Sequence, residues 1–105
     1  MNMMNQQAML RKARQLQQEM LKTQQEIEQT EFRSSTGPVV VVMLGNKELK
    51  SVIIDKDFKI ESNDDYELLE DSILASTRKL YEEITKFTEE KMGKYKSFLG
   101  GFGGF

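Results

Sequence analysis

Residues 39–44 read Val39-Val40-Val41-Val42-Met43-Leu44, with Gly37-Pro38 before them and Gly45-Asn46 after. Six apolar, largely β-branched residues between two turn signals predict a short strand. The run does not alternate apolar with polar, so both pleat faces need cover. A helix from the same chain serves for one face. A chain this small has little left for the other, and a second copy is the economical answer. Val39, Val40, Val41, Val42 and Met43 are therefore expected at a homodimer interface.

Working outward, Glu31-Phe32-Arg33-Ser34-Ser35 reads as an edge strand, with Phe32 alone supplying an apolar side chain to the core. Thr36-Gly37-Pro38 is a turn in which Pro38 gives up no central ladder donor. Gly45 to Glu48 makes a hairpin loop into Leu49–Ile54, where Val52-Ile53-Ile54 is again apolar throughout. The sum is a three-stranded antiparallel meander over residues 31–54.

A helix is predicted on each side of it. Residues 1–30 hold strong helix formers and neither glycine nor proline. Met9, Ala13, Leu16, Met20, Thr23, Ile27 and Thr30 recur at steps of four and three, a heptad-like seam. Its C-terminal half has reason to dock in the domain, whereas the N-terminal half is expected to project as an arm. Asp55 to Ser62 is a connector in which Phe58 and Ile60 tuck under the sheet. Ser62 with Asp65 resembles a capping box, and acids at a helix start complement its dipole. That explains Asp64, Asp65 and Glu67 without a divalent metal. The second helix is expected over 64–97, with Tyr66, Leu69, Ile73, Leu80, Ile84 and Phe87 as its inner stripe, broadened by Leu68, Leu74 and Tyr81. The fold class is α+β: one domain over residues 1–99, with a flexible Gly/Phe-rich tail at 100–105.

Composition narrows the function. Among 105 residues there is no cysteine and no histidine. Thiol nucleophiles, zinc clusters and the commonest general base are thus absent. No phosphate-cradling glycine loop or nucleophile elbow is present, so no enzyme, cofactor, metal or small-molecule substrate is expected. The N-terminus lacks a signal-peptide pattern and no apolar run reaches the ~20 residues that span a bilayer. The expected location is cytoplasmic, away from membranes.

The net charge of −2 conceals segregation. Residues 57–90 carry eleven acids against four bases, while 1–18 and 91–105 carry bases only. Arg11, Lys12 and Arg14 stand near the exposed end of the first helix, Lys22 lies three turns on, and Lys91, Lys94 and Lys96 mark the end of the second. In an antiparallel helical hairpin those ends are neighbours, and a phosphate backbone fits between the two patches of a dimer. A merely solvated helix surface is the alternative.

The layout as a whole resembles the YbaB/EbfC family of bacterial nucleoid-associated DNA-binding proteins. The residues that carry the likeness are Met9-Leu10-Arg11-Lys12-Ala13-Arg14-Gln15-Leu16-Gln17-Gln18-Glu19-Met20, the Thr36-Gly37 turn, Val52-Ile53-Ile54, Leu68-Leu69-Glu70-Asp71-Ser72-Ile73, and Glu90-Lys91-Met92-Gly93 with the Gly/Phe end. The resemblance implies a homodimer whose paired sheets form the body and whose helices project like tweezers. It implies duplex DNA as partner, bound with little sequence selectivity, and a role in nucleoid organisation or gene regulation. DNA contact then falls to Arg11, Lys12 and Arg14, with Lys22, Lys94 and Lys96 second. Pro38 in the first turn and Arg78-Lys79 in the second helix depart from the family pattern. A prefoldin-like holdase or adaptor, gripping a protein client with its arms, fits the same layout and is the rival reading.

Overall fold

The computed structural model describes the backbone of residues 3–100 and the side chains of residues 5–97. Helix α1 (Met3–Gln29) leads into strands β1 (Glu31–Thr36), β2 (Val39–Leu44) and β3 (Leu49–Ile54), and helix α2 (Asn63–Gly100) closes the order. The strands form one antiparallel sheet in the order β1-β2-β3. The result is an elongated body of 77 × 20 × 14 Å with a radius of gyration of 21.0 Å. A compact chain of this length would have one near 13 Å, so the helices must extend well beyond the sheet. From residue 101 on, the Gly/Phe-rich segment lies outside the described residues.

Each turn follows from its residues. Thr36 pairs with Val39 across Gly37-Pro38, and Gly37 has φ +52°. A positive φ at the first central position followed by proline's fixed φ is the signature of a type II′ hairpin. At the β2–β3 end the amide of Lys47 donates to the Leu44 carbonyl at 2.8 Å, and that of Leu44 to Glu48 at 2.9 Å. Lys47 takes φ 68°, the left-handed residue that closes a three-residue loop. Between Val42 and Met43 the register slips by one, leaving Lys50 without a partner opposite it.

The connector ends on half of the expected capping box. The Asp65 carboxylate accepts from the amides of Glu61 at 2.7 Å and Ser62 at 3.1 Å, satisfying donors that the start of α2 leaves over. Phe58 packs against the core as expected, whereas Ile60 stays 44% exposed.

Val39, Val41, Met43, Leu69, Leu80 and Ile84 form the core, with Phe32, Phe58 and Ile73 packed against it. Alternate β2 residues thus lie under α2 of the same chain, and Val42, from the other set, is buried as well. On that second face the Lys50–Glu31 ion pair joins the outer strands across β2. The hydrogen bond from Lys50, reinforced by its charge, holds the Glu31 carboxyl below its ordinary range. The protomer therefore shelters Val39, Val41, Val42 and Met43 itself; of the five residues expected between copies, Val40 alone retains partial exposure.

The inner stripe of α2 also differs from the sequence expectation. Ser72 and Ser76 are buried on it, and the Ser76 hydroxyl donates to Thr36 Oγ1 at 2.7 Å. These small residues let the helix approach the first hairpin: a methyl on Gly37 would stand 3.1 Å from Ser72 Oγ. Tyr66, Leu68, Leu74 and Tyr81 face outward instead. The reason is placement. Helix α2 rests on β1 and β2 and leaves β3 essentially uncovered, so Leu74 and Tyr81 on its β3 side find no sheet beneath them, while Leu68 lies on the opposite flank of the helix.

Candidate nucleic-acid interface

The interface is positioned by a close approach at the root of α1. Ile27 is buried where the helix ends, and the amide of Gly45 donates to the Thr30 carbonyl at 2.9 Å. A side chain at Gly45 has no room. A Cβ there would lie 2.6 Å from the Ile27 carbonyl carbon and closer still to its oxygen. The second loop is thereby pressed onto the helix end, which fixes the direction in which α1 leaves the sheet.

Outward from that root, α1 and α2 run antiparallel. Thr23 Oγ1 and the Tyr95 hydroxyl are hydrogen-bonded at 3.2 Å, and Tyr95 is 3% exposed. On one side the helices leave a cleft of about 390 Å³ that includes Glu26, Lys91 and Lys94; on the other, a smaller groove of about 280 Å³ is lined by Met20, Gln24, Met92 and Lys96. The heptad seam explains this contact, since Met20, Thr23 and Ile27 carry its best-covered turns. From there the turn bearing Arg11 to Arg14 lies roughly 14–18 Å further out, at ~1.5 Å per residue.

Residues 5–12 of α1 are exposed without exception. Arg11 and Arg14 share a surface hollow with Gln7 and Leu10. Lys12 is exposed too, but about 100° per residue turns it some 160° away from Arg14, so the three cations do not form a single face. Lys22 is exposed on the docked half of α1. Lys94 and Lys96 lie beside the Met20–Ile27 part of α1 and not opposite Arg11 to Arg14. The basic ends are thus staggered along the hairpin.

Lys91, in the same basic end of α2, has its ammonium 5.5 Å from the Phe87 ring centroid. Its signal was available in the i, i+4 spacing from Phe87. Lys94 sits 4.9 Å from the centroid of Tyr95. Both aromatic contacts hold cations at the mouth of the cleft. Among the described residues the one ion pair is Lys50–Glu31, so Arg11, Lys12, Arg14 and Lys22 keep their charges open to solvent.

The family model for the YbaB/EbfC DNA-binding family matches residues 1–99. The chain belongs to that family. A nucleoid-associated protein of Lactococcus lactis subsp. cremoris (strain MG1363) is 36% identical over 99 residues, covering 92% of this chain and 98% of the relative. One from Saccharopolyspora erythraea is 35% identical, covering 92% and 84%. Another, from Lactobacillus acidophilus, is 35% identical, covering 91% and 86%. The family is a DNA-binding one and not an enzyme family. No helix among the described residues is long and apolar enough to cross a membrane, and none of their acidic groups clusters in a way that could hold a metal ion.

Proposed function

We propose that this family member is a nucleoid-associated protein that works as a homodimer and holds duplex DNA through phosphate contacts, with little regard to sequence. The observation that carries the reading is the end of α1, where Arg11 and Arg14 stand clear of α2, exposed and without a carboxylate partner. Free guanidinium groups on a projecting helix suit phosphate oxygens, which they contact with geometric but not sequence selectivity. Lys12, Lys22, Lys94 and Lys96 extend the same field along the hairpin.

Dimerisation is supported by a different surface from the one that the valine strand suggested. Strand β3 is an edge whose Val52, Ile53 and Ile54 are 38%, 46% and 43% exposed. Long apolar edges of this kind invite pairing with another chain. Helix α2 stops short of β3, so exposed Leu74 and Tyr81 on the helix and Val52 and Ile54 on the strand remain for a partner to cover. A symmetric pair answers this most simply, each copy completing the other.

The test is a gel-shift series at rising salt on unrelated duplexes. Affinity should fall with a log–log slope of about −0.9 per phosphate neutralised, and Arg11→Ala/Lys12→Ala/Arg14→Ala should flatten the slope by up to ~2.7. No shift at low salt, or an unchanged slope in the triple variant, removes the arm from this role. In parallel, light scattering should return twice 12.2 kDa, and Ile54→Asp should reduce it to the single-chain mass. The holdase reading draws on Leu10 and Leu21, exposed by 59% and 50% on one side of α1. Suppression of client aggregation that added DNA does not relieve would favour it.

A further inference from the structure

The buried and half-buried residues of α1, Ala13, Leu16, Met20, Thr23 and Ile27, define the side that faces α2. At about 100° per residue, the positions among residues 5–29 within some 40° of the opposite side are Gln7, Arg11, Arg14, Gln18, Lys22, Gln25 and Gln29. All seven are exposed. They follow one another at steps of four and three along roughly 33 Å of helix, and none is acidic. The acids of α1, Glu19, Glu26 and Glu28, all fall on its flanks. Ordinary solvated helix faces mix both charge signs; here the positions between the cations are filled by amides alone.

That arrangement has a chemical meaning. A carboxylate at Gln18 or Gln25 would cancel the field of Arg14 or Lys22, whereas an amide leaves the field intact and adds two donors and an acceptor. Phosphate and sugar oxygens accept hydrogen bonds from glutamine as well as from arginine and lysine.

We infer that the outer stripe of α1 from Gln7 to Gln29 is one continuous duplex-binding rail, in which glutamine amides supply uncharged contacts between the cationic ones. This rests on the DNA-binding reading above and extends the interface from the tip of the arm to its root. The stripe residues are neither buried nor hydrogen-bonded to the core, so alanine there, a better helix former, leaves the fold intact.

The two contributions separate by salt. In fluorescence anisotropy on a 30-base-pair duplex, Gln18→Ala/Gln25→Ala should weaken binding about tenfold, as two lost hydrogen bonds imply, with the salt slope unchanged because no counterion release is affected. Arg11→Ala/Arg14→Ala/Lys22→Ala should weaken binding and flatten the slope. Gln15→Ala/Gln17→Ala, exposed but outside the arc, should bind as the unaltered protein does. The rail is refuted if the Gln18/Gln25 variant binds normally, or if the flanking pair loses as much; the DNA reading survives either result provided the cationic variant loses affinity. An unaltered protein that fails to bind any duplex at low salt overturns both.

Discussion

Changing Gly45 to alanine tests whether the close approach at the root of α1 holds the molecule together. The added carbon would begin 2.6 Å from the Ile27 carbonyl carbon, against about 3.5–4.0 Å for an unstrained contact. Backbone must therefore move by on the order of 1 Å, since the obstacle is main chain and cannot swing aside. Overpacking of this kind costs about 1–3 kcal/mol. The displacement also breaks the Gly45–Thr30 bond, at about 0.5–1.5 kcal/mol. A loss of roughly 2–4 kcal/mol is a large part of the 5–15 kcal/mol typical of a native domain. It should lower the Tm by roughly 10–25 °C for a chain of this size. Thermal unfolding followed by circular dichroism reads this directly. A Tm within about 3 °C of the parent would show that the loop yields freely and that Gly45 does not fix the departure of α1.

Two further substitutions probe the body and the hairpin. Ser34 is 5% exposed and its hydroxyl is the one buried side-chain polar atom among the described residues without a hydrogen-bond partner. Ser34→Ala should therefore raise stability by about 1 kcal/mol in urea titration, and a loss of that size would reveal a partner for the hydroxyl. Gly93 lies within α2, and a methyl added there meets nothing within 4 Å. Gly93→Ala should stabilise the helix by up to about 1 kcal/mol, seen as slower amide exchange around residue 93, while equal or faster exchange would mean that glycine is required there.

Much of the fold was legible because local signals and hydrophobic period agreed. The valine strand, both hairpins, the Asp65 cap and two long helices lie where turn chemistry and apolar spacing put them. The inner face of α2 was harder to read. Ser72 and Ser76 look like solvent positions by hydropathy, yet their small volume is what admits the helix to the hairpin. Leu74 and Tyr81 look like core, yet the helix is offset from β3, an offset set by tertiary packing and not by any local preference. At the candidate interface, residue types pointed to the cations, but the stagger of Lys94 and Lys96 depends on the register between α1 and α2. That register rests on long-range contacts such as Thr23 with Tyr95.

Helix α2 is continuous from Asn63 to Gly100, so the segment clamped on the strands and the segment flanking α1 are one rod. At about 57 Å, it converts a tilt of some 5° at its seated end into a swing of roughly 5 Å at the other. In the proposed dimer, slight repacking beneath Leu69 and Leu80 would thus reset the gap between the two copies' helical ends, letting one scaffold admit straight or curved double helices alike.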